Sequence, residues 1–135
     1  MSFIHGKATF VSIDADDLSA FGTSVEFTRS KDSHDVTTFG NAAHRKQGGL
    51  FDGSAKLQGI YDNTASTGPQ AVLGPLLGTV VELIYRPEGT GSALPERTVD
   101  VLVQQYMESS PVADMVTWTC DLEFDGVVDL TAQAV

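Results

Sequence analysis

The clearest periodicity in the chain lies in residues 115–126. Val116, Trp118, Cys120, Leu122 and Phe124 are apolar, and Thr117, Thr119, Asp121, Glu123 and Asp125 between them are polar or acidic. Side chains alternate faces along a strand, so a period of two predicts one long half-buried strand. A helix would scatter the same residues around its circumference, because its faces recur every 3.6 positions. Val116, Trp118, Leu122 and Phe124 are therefore expected in the core, with Cys120 on the same side. The opposite face carries three carboxylates and no base.

The same test organises the rest of the chain. Residues 8–14 set Thr9, Val11 and Ile13 against Ala8, Phe10 and Ser12, a first strand, and Asp16-Asp17-Leu18-Ser19 marks a turn or short helical turn. Residues 22–30 form a second strand with Val25 and Phe27 inward. Residues 31–53 lose the pattern: they are polar, carry Gly40, Gly48, Gly49 and Gly53, and predict a long loop with a weak β segment at Val36-Thr37-Thr38-Phe39. Residues 54–62 return as a strand. Residues 69–77 are the one good helix candidate, with Pro69 at a first helical position and Gly78 as the stop. Gly74-Pro75 inside it predicts a short or kinked helix. Residues 79–86 are a β-branched strand, and 97–108 and 115–126 are the arms of a long hairpin. Six or seven strands with one flanking helix predict a single mainly β domain over 1–135, sandwich or barrel-like.

Charge changes this picture in two ways. Eight Lys and Arg against eighteen Asp and Glu give a net charge of −10, which argues against an attractive nucleic-acid or membrane partner. The charge is also segregated. Arg29, Lys31, Arg45 and Lys46, half of the bases, sit in or beside the predicted loop, whereas no Lys or Arg follows Arg97. The N-terminal residues lack the apolar stretch of a signal peptide, no apolar run approaches a membrane span, and the single Cys120 excludes an internal disulfide. A cytoplasmic site of synthesis is the expectation.

Candidate chemistry is sparse. Asp52-Gly53-Ser54-Ala55 is no nucleophile elbow, Gly89-Thr90-Gly91-Ser92 lacks the third glycine of a dinucleotide loop, and Asp14-Ala15-Asp16 lacks the later ligands of a calcium loop. His5, His34 and His44, with Asp35 or Asp52, have no metal-site spacing. Asp121 and Glu123 share a strand face as glycosidase acids do, but a solvated face looks the same. No catalytic, cofactor-binding or metal residue is assigned.

Several segments, in order along nearly the whole chain, resemble the tail tube (major tail) proteins of long-tailed, siphovirus-type bacteriophages. They are His34-Asp35-Val36-Thr37-Thr38-Phe39-Gly40, Gly49-Leu50-Phe51-Asp52-Gly53, Gly59-Ile60-Tyr61-Asp62, Leu76-Leu77-Gly78, Arg86-Pro87-Glu88-Gly89-Thr90-Gly91 and Pro111-Val112-Ala113-Asp114-Met115-Val116-Thr117-Trp118. The resemblance implies a β-sandwich flanked by a helix, six copies to a ring, rings stacked head to tail, and strands of all six closing a barrel around a DNA channel. It implies a structural virion protein of the tail, assembled in the host cytoplasm, with no enzyme activity and no cofactor. Its implied partners are copies of itself, a tape measure protein, a tail terminator, a tail-tip complex and double-stranded DNA in transit. No membrane partner and no further immunoglobulin-like domain are expected.

Within that frame Thr117, Thr119, Asp121, Glu123 and Asp125 would line the lumen, where negative charge repels DNA and lets it slide. Arg29, Lys31, His34, Asp35, His44, Arg45 and Lys46 would make an inter-ring contact, with the loop mobile in the free subunit and ordered in the tube. The helix would lie near a subunit boundary. The alternatives are a tube of a phage-tail-like bacteriocin or gene-transfer particle, or a carbohydrate- or receptor-binding module of a tail tip.

Overall fold

The computed structural model describes residues 4–63, 66 and 68–133. Met1, Ser2 and Phe3, part of the stretch read against a leader, lie outside them. Seven antiparallel strands build one sheet: β1 (Phe10–Ile13), β2 (Asp16–Asp17), β3 (Gly22–Asp35), β4 (Lys46–Ile60), β5 (Val80–Arg86), β6 (Arg97–Ser109) and β7 (Thr117–Phe124). Their order in space is β2-β1-β5-β6-β7-β4-β3. The mainly β expectation holds, in its rolled form. Phe27 of β3 stacks on Tyr85 of β5 at 5.1 Å, although three strands separate them in the sheet. The sheet therefore curls until its own far edge supplies the opposite wall.

The core lies inside that curl and follows the alternation. β7 buries Trp118, Cys120 and Leu122, β6 buries Val99, Val101 and Val103, and β4 buries Ala55 and Leu57. Ile13 of β1 and Leu83 of β5 close the cluster. Phe124 is half-buried and packs against it, and Val116 is half-buried just before β7. A bulge between Val103 and Gln105 lets β6 change phase, which turns Tyr106 inward onto Trp118.

The helix candidate forms as α1 (Pro69–Leu73) followed by a 3-10 turn over Gly74–Leu76. Pro75 has no N–H to continue the α-helical ladder, so the winding tightens and stops. Val72 and Leu73 enter the core, and the exit is tied to β6 by the Gly78 N–H donating to the Val103 carbonyl at 2.8 Å.

Two expectations are corrected. Residues 16–17 are strand β2, not a helical turn: Asp14 and Ala15, both at positive φ, make a tight reversal that pairs Ser12 with Asp17. The predicted loop 31–53 is mostly strand. β3 and β4 pair from Gly22↔Gly59 out to Asp35↔Lys46, with register shifts between Gly22 and Ser24 and between Lys31 and Ser33, so only residues 36–45 connect them. The outer part of this hairpin, beyond Gly53, forms an arm that projects past the end of β7. With no core beneath it, nothing imposes the apolar alternation that marks the other strands.

After β7 the chain turns back along the sheet. The Asp125 N–H donates to the Asp100 carbonyl, Thr98 and Asp129 form a bridge, and the buried Gln133 amide holds Gly89 and Gly91.

Candidate functional site: an acidic sheet face and an overhanging arm

The registers fix what the outer face presents. Glu26, Lys56 and Asp121 stand side by side across β3, β4 and β7, with Gln105 of β6 next in line. The rows flanking this one are Thr28, Ser54, Glu123 and Leu102 on one side and Ser24, Gln58, Thr119 and Met107 on the other. Asp52, Glu82 and Asp100 lie on the same side by alternation. Six carboxylates thus share a face on which Lys56 sits opposite Asp121. Thr117, Thr119, Asp121 and Glu123 all occupy this face, and Asp125 follows one residue beyond β7. Sequence inspection of β7 alone missed Lys56, Glu26 and Asp100, because cross-strand neighbours are set by register, which no single strand reveals.

The arm gathers the other group. Arg29, Lys31, His34 and Asp35 are on β3, His44 and Arg45 in the connection, and Lys46 opens β4. Near the tip, Asp35 accepts hydrogen bonds from the Thr37 N–H at 2.9 Å and hydroxyl at 2.6 Å, which hold its carboxyl below the usual range. Lys46 and His44 approach the same carboxylate at 3.7 and 3.6 Å. These pairs are exposed and contribute little to stability. Lower on the arm, Lys31 lies over the Phe51 ring at 4.6 Å. His34 pairs across from Gln47, and His5 sits at the N-terminal turn, so the three histidines do not converge.

At the base of the arm is an open groove of about 600 Å³, lined by Phe27, Phe51, Phe124, Val127 and Leu130 with Arg29 and Lys31 at its side. It exists because β3 and β4 overhang: past Phe124 the arm's inner face has no strand to cover it. A second groove of about 560 Å³ lies where β1 approaches β3, beside His5, Ser19 and Tyr85. Asp121 and Glu123 line neither. Among the described residues no cluster of His, Cys, Asp and Glu could hold a metal ion, and no helix is long and apolar enough to cross a membrane.

The chain superposes on a chain in the virion of a native gene transfer agent particle with a TM-score of 0.79 at 12% identity, covering 96% of this chain and 100% of that one. It matches a chain of the tail of an empty such particle, solved with helical refinement and C6 symmetry, at TM-score 0.77, 14% identity and coverage of 96% and 100%. Against the SPP1 tail tube the TM-score is 0.79 at 8% identity, over 98% of this chain and 81% of that one. The chain has the tail tube fold. No protein-family model and no curated protein matches it by sequence.

Proposed function

We propose that the chain is the repeating subunit of a tail tube, a structural protein whose function is self-assembly rather than chemistry. The observation that carries this is a pair of open edges on one half of the sheet. Among the described residues, β3 is unpaired on its outer side from Gly22 to Asp35. At the other side of the β3-β4-β7-β6 unit, β5 covers β6 only as far as Leu102, and Gly78 and Thr79 bond Val103. Among the described residues, Gln104–Ser109 has no neighbouring strand on that side. Such edges invite further pairing, and joining them between copies removes both liabilities at once.

Four strands from each of six copies, the symmetry of the C6 tail above, give a closed barrel. With strands about 4.8 Å apart and tilted about 40°, its backbone diameter is about 50 Å. Side chains narrow the bore to a clearance around DNA on the order of the Debye length, about 8 Å at physiological salt. With the outer face turned inward, Thr117, Thr119, Asp121, Glu123 and Asp125 line the channel together with Glu26 and Asp100. Their surplus of negative charge keeps a passing duplex from binding the wall. The arm, with Arg29, Lys31, His34, Asp35, His44, Arg45 and Lys46, reaches the acidic surface of the next ring, so rings add head to tail without closing.

This reading assigns the protein to the tail of a phage or gene transfer particle, assembled in the host cytoplasm. The bore would enclose a tape measure protein before DNA, and terminator and tip proteins would cap the ends. Negative-stain microscopy of the concentrated protein tests it. Annular or tubular particles are expected, and a monomer at every concentration, even with a purified tail-tip complex as initiator, would overturn it.

A further inference from the structure

We infer that the groove at the base of the arm is the seat for the β6–β7 tip of a second copy in the next ring. The inference rests on the tube reading and names the contact that would set its axial repeat. Groove and tip lie at opposite ends of the sheet. β7 starts at Thr117, beside the tip, and ends at Phe124, in the groove. Eight strand residues separate the two ends by about 25 Å. A surface and its complement at opposite poles of one rigid sheet make a heterologous contact, which repeats indefinitely along an axis.

The chemistry of the two surfaces matches. The tip, Pro111-Val112-Ala113-Asp114-Met115, is exposed throughout, with Val112 as exposed as in an isolated peptide at 107% and Met115 at 63%. Nothing in the subunit's own core accounts for apolar residues on that turn. The groove offers the other half: Phe51, Val127 and Leu130 are exposed along its rim at 60, 66 and 53%. The charges are opposite as well. Glu108 and Asp114 are the charged residues of 108–116, while Arg29 and Lys31 flank the groove against a single carboxylate, Asp52. A contact between apolar centres ringed by complementary charges is how stable interfaces are built.

The arm tip is excluded as the occupant by position. Phe39 is also fully exposed, but residues 36–45 extend beyond the groove at the same end of the sheet. Seating that tip in a neighbour's groove would pair like poles and close a dimer, not a filament.

The test is a mixed cross-link. Chains carrying Val112→Cys and chains carrying Leu130→Cys are assembled separately and together, then treated with a mild oxidant. The native Cys120 is wholly buried and takes no part. Disulfide-linked dimers are expected from the mixture and not from either variant alone. Independently, Val112→Asp should raise the concentration needed for tubes by about tenfold or more while single rings persist. Tubes whose mixed chains fail to cross-link, homotypic dimers from one variant, or an unchanged concentration for Val112→Asp would overturn the seat and leave the tube reading intact. A wild-type chain that forms neither rings nor tubes would overturn both.

Discussion

Two positions in β4 are glycine because other parts of the fold occupy the space of a side chain. A Cβ on Gly53 would lie 2.5 Å from both the Phe124 ring and the Thr28 backbone carbonyl, and a Cβ on Gly59 would run into the Phe21 carbonyl and come within 2.7 Å of the Trp118 indole nitrogen. At Gly53 the ring has the open groove to move into, so only the Thr28 carbonyl on the paired strand resists. At Gly59 the overlap with backbone is deeper and the second neighbour is a fully buried indole. Gly59→Ala should therefore cost more than Gly53→Ala, by about 1–3 kcal/mol or more for the former, read as a lower urea midpoint at constant slope. Equal midpoints for the two variants would show that β4 yields at Gly59.

Cys120 carries a pH-dependent prediction. Burial pushes its thiol up to about 12 from an ordinary 9.0, with Asp121 adding to the shift. Burial likewise pushes the Tyr106 hydroxyl up, helped by Glu108 beside it. The folded state thus favours the protonated form of both groups. Their contribution is fully present below the unfolded value, near pH 9 for the thiol, and is lost as pH rises toward the folded one. Stability should fall steadily above about pH 9, and Cys120→Ala should flatten that slope even if it lowers stability at neutral pH. In the native protein at pH 8 the thiol should resist thiol reagents until denaturant is added.

At the scale of elements, the arm separates what a sequence can disclose from what it cannot. Strands β4, β6 and β7 were legible wherever one side meets the core: Leu57, Val101 and Leu122 alternate with polar residues because burial demands it. Past Gly53 the same β4 has Gly48, Gly49 and Asp52 instead, and its pairing with β3 rests on the backbone ladder and exposed contacts such as Lys31 over Phe51, with no core beneath. Period-two patterning records burial, not pairing, so a ladder without a core reads as a loop. β2 was hidden for a related reason. Two residues paired through a reversal at Asp14 and Ala15 carry no periodicity to detect. The C-terminal return was invisible too, since Gln133 gives no sign of its distant partners Gly89 and Gly91.

The same physics makes the arm the least stable element. It has no apolar contacts beneath its outer half, and its β3 edge is open, so local opening costs little. Amides of residues 31–35 and 46–50 should exchange far faster in the free subunit than those of β7. In the assembled tube they should be protected by at least an order of magnitude more, because neighbouring copies then cover both faces and the edge. Equal protection in the two states would mean that the arm has no assembly role.

For the whole molecule the decisive quantity is the sign of the field that the outer face would present to DNA. Lys56 stands opposite Asp121 and dilutes the acidity that β7 suggests by itself, but five further carboxylates share its face. Reversing two of them takes the face from about five net negative charges to about one and sets three positive charges together at positions 56, 121 and 123. Asp121→Lys with Glu123→Lys shifts one chain by about four charges and a six-fold ring by about 24 toward positive. Both side chains lie on the solvent side of the isolated subunit, so its folding should change little, as expected of surface substitutions. Tubes of the reversed variant should retain DNA at low salt and release it on a log–log slope that counts the phosphates held, about 0.9 per contact. Wild-type tubes should retain none, and particles built from the variant should bind their host normally yet deliver less DNA. The direction of the difference matters more than its size. A variant tube that passes DNA as well as the wild type would mean that β7 faces away from the bore, and the acidic face would then need another explanation, such as keeping tubes apart in solution.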